Sequence, residues 1–176
     1  MHDDLKLIYY PDPRLKKMSQ PVPADQFGPN LKALVERLFV VMREHKGVGL
    51  AAPQVGLNLR VFVINPTGEP DADRAYVNPV LSDPDGEDDA EEGCLSLPDI
   101  HVDVVRDIRM TITAQDVDGN TFIERADGFI ARIWQHEYDH LNGTLLTNRM
   151  GPVAKIAARR KLKELEDKYQ LVKKTR

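Results

Sequence analysis

The stretch "ARIWQHEYDHLNG", Ala131–Gly143, carries the pattern H-E-x-x-H on a segment with helical periodicity. Residues four apart on a helix have Cβ atoms about 5–6 Å apart. His136 and His140 can therefore converge on one ion, at the usual metal–nitrogen distance of about 2.0–2.1 Å. Glu137 lies about 100° around the helix from His136, where it can move a proton rather than bind the metal. The stretch predicts a metal-binding helix.

A third ligand must come from elsewhere in the chain. The extended pattern with a third histidine fails, because Leu146 stands at that position. A late glutamate, Glu164 or Glu166, would make a zinc peptidase site, but the Lys and Arg residues around it disfavour a cation. Cys94, the one cysteine, would complete three ligands and leave one coordination position open. The residues favour Cys94 as a ligand over Cys94 as a buried core residue, and leave the late glutamates as the alternative.

Composition describes an ordinary globular chain. The 176 residues are 41% hydrophobic and 30% charged, with a net charge of −4. No apolar run approaches the ~20 residues of a membrane span, and the first residues lack the apolar core of a signal peptide. We therefore expect a single domain over residues 1–176, located in the cytoplasm, with neither membrane nor DNA as a partner.

Periodicity and turn residues predict an α+β fold. Short antiparallel strands should pack around the central metal-binding helix, with an N-terminal helix before them and a long C-terminal helix at the end. Asp127 is the expected N-cap of the metal helix and Gly143 its end. The seven acidic residues of Asp83–Glu92 predict a mobile surface loop. The expected helices cover 30–45, 127–143 and 152–174, and the expected strands cover 60–65, 75–82 and 100–106, with a hairpin turning at 118–120.

The loop "GVGLAAPQVG", Gly47–Gly56, combines small residues with one long amide, Gln54. Its glycines match a dinucleotide fingerprint only formally, because Pro53 prevents a helix from opening where that motif requires one. Such a loop can lie against a peptide, and Gln54 can donate to an oxyanion. Taken alone, the segment is better explained as a tight connection between helix and strand.

Three segments in this order resemble the motifs of peptide deformylases: "GVGLAAPQ" (47–54), "EGCLS" (92–96) and "QHEYDH" (135–140). The opening "YPDPRL" (10–15) and the final helix extend the resemblance over nearly the whole chain, to the bacterial type with a C-terminal helix. The resemblance implies an enzyme that removes the formyl group from N-formylmethionine at the start of nascent polypeptides.

The same resemblance implies roles for individual residues. Cys94, His136 and His140 would bind the metal, Fe2+ in the cell, with Ni2+ or Co2+ also active and Zn2+ a poor catalyst. Metal-bound water would attack the formyl carbon, with Glu137 as general base and acid. Gln54 and the Leu95 backbone N–H would hold the oxyanion, and the Gly49 backbone would dock the peptide. The methionine side chain needs an apolar pocket, and Val48, Leu95 and Ile133 are the candidates for its lining because they are adjacent to catalytic positions.

The C-terminal segment is basic, with nine Lys/Arg against three Asp/Glu from Lys155 to Arg176, so the remainder of the chain carries −10. Charge alone fits a solvated helix face, whereas the resemblance implies contact with the ribosome near the exit tunnel. Two departures leave substrate preference open. "LLTNRM" (145–150) lacks an aspartate frequent in the family, and Asp83–Glu92 is unusually acidic.

Two further functions remain as alternatives. The chain would be a catalytically silent, ribosome-associated protein if the metal served only stability, although Glu137 and Gln54 would then have no purpose. It would be a cysteine hydrolase if Cys94 were the nucleophile, but that chemistry leaves the H-E-x-x-H pattern unexplained.

Overall fold

The computed structural model describes residues 4–174, and a five-stranded antiparallel sheet is their framework. Each strand pairs with its neighbour in sequence, so the sheet is a meander. The hairpin expected near 118–120 is confirmed as the connection between the last two strands. The strands are β1 (Gly49–Ala51), β2 (Val61–Ile64), β3 (Arg74–Cys94), β4 (Leu97–Gln115) and β5 (Thr121–Asp127).

Helices flank this sheet and confirm the predicted α+β class. They are α1 (Pro29–Glu44), α2 (Gly128–Leu141), the short α3 (Leu146–Arg149) and α4 (Pro152–Lys174). The end points of α4 coincide with the predicted 152–174. Within residues 4–174, no helix has the length and apolar character needed to cross a bilayer.

Strand β2 explains how the helices are arranged. Alternate side chains of a strand point to opposite faces, and all four residues of β2 are buried. Val61 and Val63 pack with α1 in one hydrophobic cluster, whereas Phe62 and Ile64 pack with α2 in another. The sheet is therefore covered by α1 on one face and on the other by α2, the helix that carries His136 and His140.

A third cluster brings α4 against the beginning of β4. Leu97 and Ile100 of β4 pack with Ala158 and Leu165 of α4, and Cys94 is partly buried beside the same cluster. Leu165 is buried in this contact, whereas Ile156 on the same helix is 75% exposed. The C-terminal helix supports the turn that follows Cys94.

The predicted mobile loop over Asp83–Glu92 is wrong, because these residues form part of β3. The predicted strands 75–82 and 100–106 are likewise parts of longer ones, since β3 has 21 residues and β4 has 19, whereas the predicted strand 60–65 is confirmed as β2. Antiparallel pairing continues through the acidic segment, from Asp85↔Arg109 to Gly93↔His101. Glu92 is buried while its neighbours Glu91 and Gly93 are exposed. Counting charges hides this alternation, which is limited to the end of the segment nearest Cys94, since residues 82–89 are all exposed.

The helix α2 begins and ends near the residues that the sequence predicted. Asp127 occupies the N-cap of α2, although its side chain makes no capping hydrogen bond. Gly143 follows the helix with φ of +69°, a left-handed conformation that glycine adopts at low cost. A Cβ at Gly143 would lie 2.5 Å from the carbonyl oxygen of Lys16, so both the backbone and the available space require glycine there.

We expect Gly143→Ala to lower the free energy of unfolding by about 3 kcal/mol, because left-handed strain adds to an overlap with backbone. Gly68→Ala is the matched control, since Gly68 has φ of +82° but nothing within 4 Å of the position that an added methyl group would occupy. The control should lose only about 1 kcal/mol. Urea unfolding of both variants measures the difference, and equal losses would refute the role of the Lys16 contact.

Candidate active site

Cys94, His136 and His140 converge where β3 ends against the face of α2. Their potential ligand atoms all lie within 4.8 Å of one another, and Cys94 Sγ is 3.4 Å from His140 Nε2. Metal–sulfur and metal–nitrogen bonds of about 2.3 Å and 2.0–2.1 Å in tetrahedral geometry separate such a pair by roughly 3.5 Å. The three side chains therefore fit one divalent ion. Among residues 4–174, this is the one such cluster of His, Cys, Asp or Glu.

Glu92 orients the first of the two histidines. Its Oε2 is 2.9 Å from His136 Nδ1, which leaves Nε2 of that ring available for a metal. Burial opposes ionisation of Glu92, but hydrogen bonds from His136 and Arg106 outweigh burial and lower its pKa to about 2. A carboxylate partner of this kind is the usual support of a metal-binding histidine.

Buried arginines hold Glu92 in place. Arg106 donates to both of its oxygens at 2.9 and 3.0 Å, and Arg132 donates to Oε1 at 2.9 Å. Arg106 also donates to Asp139 of α2 at 2.7 Å, and Arg149 pairs with the same carboxylate. These contacts join β3, β4 and α2 around the histidines, and each buried charge has an opposite partner.

None of these supporting residues was predicted from the sequence. Glu92 was counted as part of an acidic loop, where its charge resembled that of its neighbours. The available signal was its spacing from Cys94, because residues two apart on a strand lie on the same face. Arg106 and Asp139 become neighbours only through the tertiary fold, and nothing in their local sequence indicates it.

Glu137 lies beside the cluster in a buried position. It is 4% exposed, and its Oε2 has no hydrogen-bond partner among the described residues. Burial raises the pKa of Glu137 to about 7, against the opposing effect of nearby His136. A carboxyl group with such a pKa can take up and release a proton at neutral pH. Gly49 faces it directly, and a Cβ at that position would overlap Glu137 Oε1.

Gln54 lies across the cavity with its amide orientation set by neighbours. Its Oε1 accepts the backbone N–H of Ala51 at 2.9 Å, so the amide nitrogen points towards the cluster. That nitrogen is 3.3 Å from Ser96 Oγ and 3.7 Å from Cys94 Sγ. The segment that carries Gln54 consists of β1 and one turn of 3-10 helix. It connects α1 to the sheet and also forms a wall of the site.

Among these groups His140 is buried, whereas Cys94, His136, Glu137 and Gln54 line one cavity of about 500 Å³. The remaining predicted residues, Val48, Leu95 and Ile133, also line it. Val48 is 40% exposed at the rim and Ile133 is 4% exposed in the wall. Leu95 follows Cys94 and packs against Gly47, where a Cβ would lie 2.6 Å from its Cδ1. Further lining residues that the sequence did not assign are Tyr9, His101, Phe129 and Arg132.

The late glutamates lie outside this cavity. Glu166 Oε1 accepts a hydrogen bond from Tyr10 at 2.9 Å, and Glu164 pairs with Arg160 on the exposed surface of α4. One polar side chain within "LLTNRM" makes a local contact. Asn148 Oδ1 accepts the N–H of Leu145 at 2.9 Å, a bond that needs an acceptor but no charge.

The family model described as polypeptide deformylase matches residues 4–155. The chain belongs to this family. A peptide deformylase of Thermotoga maritima is 41% identical over 161 residues, which are 91% of this chain and 95% of that protein. The chloroplastic/mitochondrial peptide deformylase 1B of Arabidopsis thaliana is 43% identical over 94% of this chain, and the chain spans 61% of that relative's length.

Solved structures agree with this membership. The peptide deformylase of Plasmodium falciparum has a TM-score of 0.91 at 38% identity, covering 94% of this chain and 98% of that one. The structure from Thermotoga maritima has a TM-score of 0.79 at 40% identity, covering 84% and 98%. The predicted family and fold class are therefore confirmed, and deformylases are metal-dependent enzymes, consistent with the cluster of Cys94, His136 and His140.

We expect Glu92→Gln to lower the free energy of unfolding of the metal-free protein by about 3 kcal/mol at pH 7, because Arg106 and Arg132 lose a buried anionic partner. Glu87→Gln on the same strand is exposed and should change it by less than about 0.5 kcal/mol.

The difference in free energy of unfolding between the unmodified protein and Glu92→Gln should also depend on pH. Because the pKa of Glu92 is lowered to about 2 by folding, its stabilisation is present above the unfolded pKa of about 4.3 and is lost as the pH falls towards 2. Urea unfolding between pH 7 and pH 2.5 should show the unmodified protein converging on Glu92→Gln. A difference that stays constant over this range would contradict the assignment.

Proposed function

We propose that this protein removes the formyl group from formylmethionine at the N-terminus of nascent polypeptides. The observation that carries the proposal is the convergence of three potential metal ligands, Cys94, His136 and His140, next to a cavity that Glu137 and Gln54 line together with Cys94 and His136. A purely structural metal site would need neither a buried, unpartnered carboxyl group nor a fixed amide beside it.

Cys94, His136 and His140 would hold one divalent ion and leave a coordination position open. Such an ion supplies Lewis acidity and lowers the pKa of a water molecule. We propose Fe2+ in the cell, with Ni2+, Co2+ or Zn2+ possible in purified protein. Burial lowers the pKa of His140 well below its usual range, which favours the neutral ring that a metal ligand requires.

Glu137 would carry the proton through the reaction. As the water oxygen bonds to the formyl carbon, Glu137 takes the proton that the water releases. As the carbon–nitrogen bond breaks, Glu137 gives a proton to the leaving nitrogen, and formate and a free amino terminus result. A buried carboxyl group with a pKa of about 7 suits both directions of transfer.

The other walls would position the substrate. Gln54 Nε2 and the backbone N–H of Leu95 would donate to the oxygen that gains negative charge. The Gly49 backbone would contact the peptide, and its missing side chain keeps Glu137 within reach. Val48, Leu95 and Ile133 would surround the methionine side chain, as apolar residues that line the cavity from two connections and from α2.

The basic helix α4 would contact the ribosome near the exit tunnel, and we propose the cytoplasm as the compartment. Its basic side chains are exposed along the helix and can approach phosphates of ribosomal RNA. They are Lys155, Arg159, Arg160, Lys161, Lys163, Lys168, Lys173 and Lys174.

We expect Cys94→Ser to abolish stable metal binding, because a hydroxyl group is a far weaker ligand than a thiolate. Glu166→Gln is the matched control for the late-glutamate alternative and should keep the metal. Metal analysis of both proteins after anaerobic preparation measures the content. Full metal in Cys94→Ser would refute the ligand set and favour the zinc peptidase alternative.

We expect Glu137→Ala to keep its metal but to lose turnover of formyl-Met-Ala-Ser by a factor of about 10²–10⁴, because the proton carrier is gone. Chelation of the unmodified protein should also stop turnover. Absence of turnover in the unmodified, metal-loaded protein would favour the silent metal protein. Turnover that survives chelation would favour Cys94 as a nucleophile.

A further inference from the structure

We propose that a second cavity, beside the catalytic one, binds a large apolar side chain of the substrate polypeptide, a few residues after its formylated methionine. The second cavity has a volume of about 390 Å³ and lies between the N-terminal segment and α4. This inference rests on the proposed function and adds a binding site for the same substrate. The apolar lining of the second cavity consists of Ile8, Tyr9, Pro98, Leu165, Tyr169 and Val172.

The wall that the N-terminal segment forms is attached to the catalytic site through backbone hydrogen bonds. The N–H of Ile8 donates to the carbonyl oxygen of Gln54 at 2.8 Å, and the N–H of Tyr10 donates to that of Ser96 at 3.0 Å. Gln54 lines the catalytic cavity, and Ser96 is two residues from Cys94. The second cavity is therefore held next to the potential metal ligands.

The second cavity is continuous with the catalytic cavity, because Tyr9 and Pro98 line both. Tyr9 is 42% exposed at this junction. By contrast, the cavities beside Trp134 and beside Gln135 share no lining residue with the catalytic cavity. A polypeptide that leaves the catalytic cavity past Tyr9 and Pro98 therefore enters the second cavity directly.

The length of the substrate indicates which of its residues would reach the second cavity. A nascent polypeptide cannot end inside the catalytic cavity, so its later residues have to lie on other surfaces of the protein. An extended chain advances about 3.3–3.6 Å per residue, so the fourth to seventh residues lie roughly 10–20 Å beyond the first. We therefore expect the second cavity to accept a side chain from this part of the substrate, and a tripeptide to end before it.

The polar side chains of the second cavity favour an apolar ligand, because they already bond within the protein. The hydroxyl group of Tyr10 donates to Glu166 Oε1 at 2.9 Å, and Arg14 donates to Asp12 Oδ2 at 2.7 Å. Lys168, the remaining charged residue of the lining, is exposed to solvent. An apolar side chain gains free energy when it leaves water for such a site, whereas a charged one would lose hydration without a new partner.

Several apolar groups of the second cavity are in contact with water. Val172 is 53% exposed, Tyr9 is also exposed, and Tyr169 is half-buried. They come from opposite ends of the chain and line one concave surface. Apolar surface that is both concave and accessible is typical of ligand sites.

The position of the second cavity favours the substrate over a second copy of the chain as its occupant. A folded partner on this surface would also cover Tyr9 and Pro98, and so obstruct the rim of the catalytic cavity. An extended polypeptide with its first residue in the catalytic cavity is already tethered beside the second one. Its second contact is therefore intramolecular, and a modest apolar interaction is enough to strengthen binding.

The test uses the metal-loaded protein and formyl-Met-Ala-Ser-Gly-Gly-Gly-Gly, with one Phe placed in turn at the fourth to the seventh position. At one of these positions, we expect Phe to raise kcat/KM about tenfold over the all-Gly peptide. The increase should come from a lower KM with kcat nearly unchanged, because the contact lies far from the reacting atoms. Glu at the same position should give no increase, and about 0.5 M salt should not remove the effect of Phe. Formyl-Met-Ala-Ser is the reference for each protein.

The double variant Tyr169→Ser/Val172→Asn should reduce the increase to less than about threefold, because it removes apolar lining of the second cavity. Val153→Asn/Leu171→Asn removes two exposed apolar side chains of the same helix outside the second cavity and should keep the increase. Equal kcat/KM for Phe and Gly at all four positions, or an increase that survives the first variant or is lost in the second, would overturn the inference alone. Activity per molecule that falls as the protein concentration rises would indicate a second copy as the occupant and would also overturn it. No turnover of formyl-Met-Ala-Ser by the unmodified protein would overturn the proposed function and the inference with it.

Discussion

The structure depends on the carboxylate of Glu92, which accepts hydrogen bonds from Arg106 and Arg132 and contacts His136. A buried carboxylate without partners would cost several kcal/mol, so the arginines are required wherever Glu92 is required. Arg106 in turn contacts Asp139 on α2. Because of this chain of opposite charges, β3, β4 and α2 cannot move independently, and the histidines keep one orientation.

How much of the site could be predicted depended on how far apart in the sequence its residues lie. His136, Glu137 and His140 lie within one helical turn, so their spacing alone predicted a shared face. Cys94 was favoured by elimination and by resemblance, although it lies some forty residues away. Glu92 was missed because its role depends on which way a strand side chain points, and no count of acidic residues carries that information.

In the fold, too, local features were predicted and long-range features were not. The helices were predicted closely, because their period and their ending residues are local, and Gly143 ends α2 as expected. The lengths of β3 and β4 were not predicted, since each strand is stabilised by a partner whose alignment is long-range. Asp83–Glu92 lacks the branched and aromatic residues typical of strands, and it is extended because β4 pairs with it.

The two faces of β3 follow different physical rules, which explains why one acidic segment contains both a buried, paired carboxylate and exposed ones. On the inner face, low dielectric makes every unpaired charge costly, so Glu92 has both arginine and histidine partners. On the outer face, water screens Glu87 and Asp89, so their repulsion is small and neither needs a buried partner. Because the strand itself separates the two sets of charges, the charge of the outer face can change without disturbing the pairs that orient His136.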